Sequence, residues 1–191
     1  MPMIIPPPGG LADDVVALRL WIAPDFEQRF AGFRDPCCMA FSWPLVEDFT
    51  EDHLRARFID EEAERVRGEA VSFAIVDTND SNRVWGGASI YDVDCNAGRA
   101  AVGYWVAAPA RGHGVASRSV RLLARWAFAD LAVMRLELTC APDNGASQRV
   151  AERCGFVQEG VLRSHMPFQG RRRDTVVFSL LPGELGEVVG Q

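Results

Sequence analysis

A short segment with two glycines, Arg111 to Ala116 (RGHGVA), directly precedes a stretch with the apolar periodicity of a helix. Unpaired backbone N–H groups and the positive end of the helix dipole face outward at the start of a helix. Glycines there let the backbone turn tightly and approach a phosphate, because they carry no Cβ. The segment therefore predicts an anion site in which backbone amides bind the ligand.

Two common phosphate-binding motifs do not fit this segment. A P-loop requires Gly-Lys-Ser or Gly-Lys-Thr at a fixed spacing, which is absent. A dinucleotide-binding turn requires a third glycine where Ser117 stands, and the strands before it are predicted to form hairpins rather than βαβ units. A glycine-rich helix start without a ligand is the structural alternative.

The same segment resembles motif A of the GNAT acetyltransferase superfamily: Arg or Gln, two residues, Gly, one residue, then Gly or Ala. Arg111, Gly114 and Ala116 match this pattern. The region 102–156 further resembles the RimJ/RimL type of ribosomal-protein N-terminal acetyltransferases. That resemblance depends on Gly103-Tyr104-Trp105-Val106, Pro109, Arg135-Leu136-Glu137, Asn144-Gly145-Ala146-Ser147 and Gly155-Phe156.

The resemblance implies direct transfer of an acetyl group from acetyl-CoA to a primary amine, without a metal. It places the CoA pyrophosphate on the loop amides and the pantetheine arm beside the strand that ends at Ala107. A backbone N–H near Val106 would stabilise the oxyanion that forms on the thioester carbonyl. The expected cofactor-binding residues are Val106, Arg111, Gly112, His113, Gly114, Val115, Ala116, Asn144 and Ser147.

When the acetyl group leaves CoA, the departing thiolate should gain a proton, which requires an acid within hydrogen-bond reach. Many GNAT enzymes carry a tyrosine acid four residues before the glycine of Gly-Phe, where this chain has Ala151. In the RimJ/RimL-like branch a serine one turn after the asparagine is a proposed substitute, and Ser147 occupies that position. Alternatively, Asn144 caps a helix and Ser147 lies in its first turn.

Glu137 is the candidate base, because a carboxylate within an otherwise apolar strand needs a reason. The structural explanation, which the sequence slightly favours, is a salt bridge with Arg135, two residues away on the same face, or with one of the helix arginines. The run Arg171–Arg173 is expected in a solvated hairpin turn, with an anionic acceptor or the 3′-phosphate of CoA as the alternative. His165 is expected to line the acceptor pocket or lie on the surface.

Apolar periodicity predicts an α+β domain with a mostly antiparallel sheet of about seven strands flanked by helices. The resemblance implies an α/β GNAT fold, in which this sheet is splayed and helices lie on both of its faces. One parallel crossover is expected through the helix after Gly114. A flexible lead is predicted over 1–10, a single acetyltransferase domain over 11–183, and a tail over 184–191. Strands are predicted at 15–22, around 71–75, and at 83–93, 101–107, 135–140, 156–166 and 175–181. Helices are predicted from Pro24 to Asp35-Pro36 and at about 50–67, 114–130 and 144–153. A loop is predicted after the first of these helices.

Composition restricts the remaining classes of function. A formal charge of -6 and a pI near 5.1 argue against a nucleic-acid partner. The five scattered cysteines suit a reducing cytoplasm, and no apolar run is long enough to indicate a membrane.

The expected partner is a small-molecule or peptide amine, and the oligomeric state, a homodimer included, is left open. A regulatory CoA-binding protein with weak activity and a donor such as succinyl-CoA are the alternatives.

Overall fold

The structure is a computed structural model that describes residues 3–185. These residues form eight strands and five α-helices. The strands are β1 (Leu11–Ala12), β2 (Val16–Leu20), β3 (Val71–Asp77), β4 (Asp80–Asp94), β5 (Arg99–Val106), β6 (Arg135–Cys140), β7 (Val157–Phe168) and β8 (Arg171–Leu180). The helices are α1 (Phe26–Phe33), α2 (Pro36–Ser42), α3 (Glu51–Arg67), α4 (Val115–Asp130) and α5 (Gly145–Arg153).

All strands lie in one sheet of order β1-β2-β3-β4-β5-β6-β8-β7. Every neighbouring pair is antiparallel except β5 and β6, which are joined through α4 and run parallel. The predicted fold class is therefore confirmed, with the single parallel crossover in the predicted place. The sheet has eight strands because the two-residue β1 pairs with β2 at one edge.

Helices cover both faces of the sheet. On one face Phe73 of β3 packs edge-on against Trp126 of α4, with ring centroids 5.7 Å apart. On the opposite face Trp105 of β5 packs edge-on against Phe33 of α1 at 5.7 Å. The predicted apolar stripe of α4 is the reason for its orientation, since its central residues Val120, Leu123 and Ala127 are fully buried.

The two central strands separate halfway along their length. Their ladder joins 99–101 of β5 to 135–137 of β6 and then stops. Beyond this point β5 continues to pair with β4 and β6 continues to pair with β8. A cleft therefore opens between residues 102–106 and 138–140, as the expected splay requires.

Helix α2 was not predicted. We expected Asp35-Pro36 to end a helix, and it also begins the next one, because the Asp35 side chain accepts a hydrogen bond from the Cys37 amide at 2.9 Å. Proline is favoured at the first helical position, where its missing N–H has no partner to lose. This signal was present in the sequence.

The chain termini and the arginine run also differ in detail from expectation. Within the predicted lead, Ile4 is buried, and its amide donates to the carbonyl of Arg65 at 3.1 Å. The predicted turn at Arg171–Arg173 is wrong, because the turn is formed by Gln169-Gly170, with φ of 47° and 74°, and the arginines begin β8. Of the predicted tail, 186–191 lie outside the described residues.

Candidate active site

The glycine segment connects the end of β5 to the start of α4 through a short 3-10 turn, Ala108–Ala110. Gly112 and Gly114 have φ of 81° and 75°, a region that glycine adopts without strain. Gly114 is the N-cap of α4 and has no side chain that could cap the helix. No atom lies within 4 Å of where a Cβ would stand on either glycine. A side chain on either glycine would therefore point into open space, and the N–H groups of the first turn of α4 have no intrahelical partners. Both features match what an anion site requires.

A cavity of about 310 Å³ lies in front of this segment. It is lined by most of the segment together with residues of α2, β5 and α5. Among the described residues that line it, three are arginines and none is acidic, although the whole chain carries a formal charge of -6. The arginines are Arg111, Arg149 and Arg153. This cavity, which we call the donor cavity, is suited to a phosphorylated ligand.

The side chain of Arg111 holds two neighbouring elements together. Its Nε donates to the Val106 carbonyl at 2.9 Å, and its Nη2 donates to the Asp35 carboxylate. The hydrogen bond from Arg111 lowers the pKa of Asp35 below its ordinary value. The side chain of Arg111 thus ties the end of β5 to the N-cap of α2, and the loop amides remain free for a ligand.

The register of β5 exposes the backbone of Val106 to the cleft. Val106 stands opposite Gly86 of β4, and the next amide, that of Ala107, donates to the carbonyl of Trp85 at 2.8 Å. Hydrogen-bonded and non-bonded pairs alternate along an antiparallel ladder. The N–H of Val106 is therefore turned away from β4 and toward the gap between β5 and β6. By the same alternation, the backbone of Tyr104 faces this gap.

Asn144, Ser147 and Tyr104 meet beside the cleft, where both cavities are lined by them. Asn144 caps α5, and its Oδ1 accepts from the Ser147 amide at 3.1 Å. The hydroxyl of Tyr104 donates to Ser147 Oγ at 3.0 Å. Burial raises the pKa of Tyr104 to about 12, so its hydroxyl keeps its proton at neutral pH. Burial also raises the pKa of Cys140, and a hydrogen bond from Ser147 opposes that shift. The Ser147 hydroxyl thus accepts from Tyr104 while it can donate to a sulfur.

A second cavity of about 710 Å³ lies on the other side of these residues, and we call it the acceptor cavity. It extends from Ser147 and Cys140 to α3, beneath α1 and the segment between α2 and α3. The two cavities share the residues Phe41, Ser42, Tyr104, Trp105, Asn144 and Ser147. A molecule bound in one cavity can therefore contact a molecule bound in the other beside Ser147.

The family model "Acetyltransferase (GNAT) domain" matches residues 16–157, which include the glycine segment, the splayed strands and Ser147. The chain belongs to the GNAT acetyltransferase family. Proteins named as ribosomal N-acetyltransferases, the type expected from 102–156, are among the matches to this chain.

Two curated relatives and one solved structure illustrate this membership. "Putative ribosomal N-acetyltransferase YdaF" of Bacillus subtilis (strain 168) is 34% identical over 96 residues, which are 50% of this chain and 52% of the relative. "Probable N-acetyltransferase YjcK" of the same organism is 29% identical over 143 residues, 74% of this chain and 78% of the relative. The match thus spans about half the length of YdaF and over three quarters of YjcK.

The solved structure is Mycobacterium smegmatis RimJ in complex with CoA-disulfide. It superposes with a TM-score of 0.79 and 23% identity, and the match covers 90% of this chain and 84% of RimJ. At this identity the likeness shows the fold.

Within this GNAT fold, most of the predicted cofactor residues come together. The donor cavity is lined by Val106, Arg111, Gly112, Gly114, Val115, Ala116, Asn144 and Ser147. His113 is exposed and is not among the lining residues. The suggestion that Asn144 and Ser147 begin a helix is correct, and it is compatible with a position in the cleft, because both line the two cavities.

Glu137 lies apart from these residues. Its carboxylate accepts a hydrogen bond from Arg135 Nε at 2.8 Å, and Arg135 also pairs with Glu159. It lines neither cavity. These contacts match the salt bridge that sequence analysis gave as the alternative, and a role as base stays a prediction without geometric support.

Several residues of the site were missed or differ from the sequence-based interpretation. Tyr104 is one, because nothing in the sequence shows that it reaches Ser147. Arg149 and Arg153, rather than Arg171–Arg173, carry positive charge into the donor cavity. Their spacing of four residues on α5 was a usable signal. Arg173 instead donates to Asp143 at 3.2 Å and lies over the ring of Phe168.

His165 lines neither cavity, and its Nδ1 lies 3.1 Å from the Thr175 hydroxyl. Among residues 3–185, no group of three or more His, Cys, Asp or Glu side chains could hold a metal ion. None of the helices in that range is long and apolar enough to cross a bilayer.

Proposed function

We propose that this chain transfers an acetyl group from acetyl-CoA directly to a primary amine. The observation that carries the proposal is the meeting of two cavities at Ser147 and Tyr104. One cavity has the amides and cations that suit a phosphorylated donor, and the other is large enough for a separate acceptor. Direct transfer needs both molecules in contact at one point.

The donor would be held mainly by the backbone. The amides of 112–116 would bind the pyrophosphate at the start of α4, and Arg149 and Arg153, which line the same cavity, would pair with the remaining phosphate charge. The pantetheine arm would lie in the gap beside β5, where its amides can pair with the backbone of Tyr104 as an added strand would. RimJ of Mycobacterium smegmatis, which shares this fold, is described in complex with CoA-disulfide.

In the reaction, the neutral amine nitrogen attacks the thioester carbonyl carbon and the C–S bond then breaks. The N–H of Val106 would stabilise the oxyanion of the intermediate. The nitrogen loses one proton to solvent or to a base that stays unassigned. The departing CoA thiolate gains one proton from Ser147, and Ser147 takes up a proton from solvent in turn, which restores its hydroxyl. Tyr104 holds that hydroxyl by donating to its oxygen. The products are an amide and free CoA thiol.

Membership of the family does not determine the acceptor, the domain bounds, the location or the partners of this chain. The acceptor is either a protein N-terminus or a small amine, and we infer one acetyltransferase domain over 11–183. A cytoplasmic location, the absence of a nucleic-acid or membrane partner, and a homodimer stay predictions. The curated relatives that share the family are named as N-acetyltransferases, which supports an amine as the acceptor.

The proposal is tested by calorimetric titration of acetyl-CoA into the wild type and a Gly114→Glu variant. The substitution places bulk and negative charge against the pyrophosphate, and we expect affinity to fall at least about 100-fold. Free-thiol release with a panel of amines then measures turnover. A folded wild type that binds no acetyl-CoA would overturn the proposal.

Gly183→Glu is the matched control. Gly183 has φ of 92° and no atom within 4 Å of a Cβ position, as at Gly114, but it lies outside both cavities. The control therefore introduces the same backbone strain and the same charge elsewhere. Equal loss of binding in both variants would mean that strain or net charge, rather than a site at Gly114, is responsible.

A further inference from the structure

The acceptor cavity has an aromatic wall. Trp21 and Trp105 lie nearly parallel, with ring centroids 6.4 Å apart and planes 4° apart. Phe33 packs on Trp105 at 5.7 Å and on Phe49 at 4.9 Å. The wall continues through Trp43, which lies 5.0 Å from Phe49 and 5.0 Å from His53. The six rings that line the cavity and form this wall are Trp21, Phe33, Trp43, Phe49, His53 and Trp105.

Two glycines on different elements make room for the central ring of the wall. A Cβ on Gly87 of β4 would lie 2.5 Å from Trp105 Nε1 and 3.0 Å from Trp21 Cζ2. A Cβ on Gly32 of α1 would lie 2.8 Å from Trp105 Cζ3. The indole of Trp105 is therefore held flat between the sheet and α1, and its orientation is fixed by the backbone on both sides.

The charges at the end of the cavity near α3 neutralise one another. Arg29 donates two hydrogen bonds to Glu61, of 2.9 and 2.6 Å, and the two side chains are only 9% and 11% exposed. Arg57 approaches the same carboxylate at 3.3 Å. Asp60, the other acidic residue among the described residues that line the cavity, is exposed. The buried part of the cavity therefore has no unpaired carboxylate that could bind the ammonium groups of a polyamine acceptor such as spermidine.

We propose that the acceptor is a small arylalkylamine, a primary amine on a short alkyl chain that ends in an aromatic ring. This inference rests on the proposed function. The ring packs on the aromatic wall, and the alkyl chain places the amine in the part of the cavity beside Ser147. Aromatic rings gain specific contacts with other rings beyond the gain from buried area. An uncharged ring also requires no carboxylate in the buried part of the cavity.

The proposal is tested by thiol release at saturating acetyl-CoA with phenethylamine, tryptamine, hexylamine, spermidine and a short peptide with a free N-terminus. We expect kcat/KM for both arylalkylamines to exceed that for hexylamine and spermidine by about tenfold or more. A preference for spermidine, hexylamine or the peptide would overturn the acceptor class and leave the proposed function standing. No turnover with any amine and no acetyl-CoA binding would overturn both.

A pair of tryptophan variants connects the preference to the wall. Trp43→Leu removes a ring of the wall, whereas Trp85→Leu removes a partly buried ring that lines neither cavity. We expect the ratio of kcat/KM for phenethylamine to that for hexylamine to fall severalfold only in Trp43→Leu. Unchanged acetyl-CoA affinity shows that each variant is folded. An unchanged ratio in Trp43→Leu would contradict the proposal.

Discussion

The donor and acceptor cavities share six lining residues, Tyr104 and Ser147 among them, but they are built in different ways. The donor cavity depends on the backbone of one continuous segment, 112–116, at the start of α4, with arginines from α5 added at its side. The acceptor cavity depends on side chains from α1, α3, β5 and the loops near them. Recognition by backbone needs a local conformation, whereas recognition by side chains needs the whole sheet in place.

This difference has a consequence for substitutions. A change on the donor side should alter acetyl-CoA affinity and leave the choice of amine unchanged, and a change on the acceptor side should do the reverse. Residues where the cavities meet should alter the rate of the chemical step instead.

The largest effect in this comparison is expected at the meeting point. Ser147→Ala removes the hydroxyl that we propose protonates the thiolate, and we expect kcat to fall about 100-fold with acetyl-CoA affinity unchanged. Tyr104→Phe should lower kcat less, because it only releases the Ser147 hydroxyl from its partner. Steady-state thiol release and calorimetry measure the two quantities.

The double variant serves as the control for this pair. Because Tyr104 acts through Ser147, adding Tyr104→Phe to Ser147→Ala should cost nothing further in kcat. Additive losses would mean that Tyr104 acts independently of Ser147. An unchanged kcat in Ser147→Ala would leave Ser147 as a residue of the first turn of α5 only.

An intermediate effect is expected on the donor side. Replacing Arg149 and Arg153 together by Gln removes cations that line the donor cavity, and we expect the Kd of acetyl-CoA to rise about tenfold at low salt. The dependence of Kd on salt should weaken in the same variant, because fewer charges are left to screen. Titration calorimetry at low and high salt measures both.

The matched control replaces Arg99 and Arg125 by Gln, since both are exposed arginines that line neither cavity. It makes the same change in net charge. If the control weakens binding as much, the effect comes from overall charge, and the proposed contact of Arg149 and Arg153 with CoA is incorrect.

The smallest effect is expected on the acceptor side. Gly87→Ala forces the indole of Trp105 or Trp21 to shift, because its Cβ would lie 2.5 Å from Trp105 Nε1. We expect the KM of the amine to rise about fivefold and the free energy of unfolding to fall by about 1–3 kcal/mol. Because Trp105 also lines the donor cavity, the Kd of acetyl-CoA should change, but by less than the KM of the amine.

Gly32→Ala tests the same ring from the opposite side and should change KM in the same direction. Kinetics with varied amine, together with denaturant titration, separate the loss of binding from the loss of stability. A rise in acetyl-CoA Kd with no change in amine KM would invert the assignment of the two cavities.

Much of the fold could be predicted from local patterns. The stripe of α4 and the Thr50 N-cap of α3 are both present in the structure. Helix α2 was missed because Asp35-Pro36 was interpreted only as a helix end, although the same residues start a helix. The turn before β8 was misplaced because consecutive arginines resemble a solvated turn, and strand pairing with β7 decided otherwise.

The candidate site also has parts that local sequence patterns indicate and parts that they do not. The glycine segment and Asn144-Gly145-Ala146-Ser147 could be recognised because their residues are consecutive in the chain. The hydrogen bond from Tyr104 to Ser147 joins residues 43 positions apart, and no local pattern indicates it. Glu137 was chosen because it interrupts an apolar strand, and the nearby Arg135 supplies a sufficient structural reason for it.

The sequence by itself determined the family, the order of the main elements and the turn of the glycine segment, because each depends on short-range patterns or on backbone freedom at a few glycines. Only the tertiary structure decided which side chains surround the acceptor. Those side chains come from strands and helices far apart in the chain, and they meet only because β5 and β6 separate and helices pack over the opening. The physical reason is that backbone conformation is a local property, whereas the shape and charge of a cavity depend on all the elements packed around it.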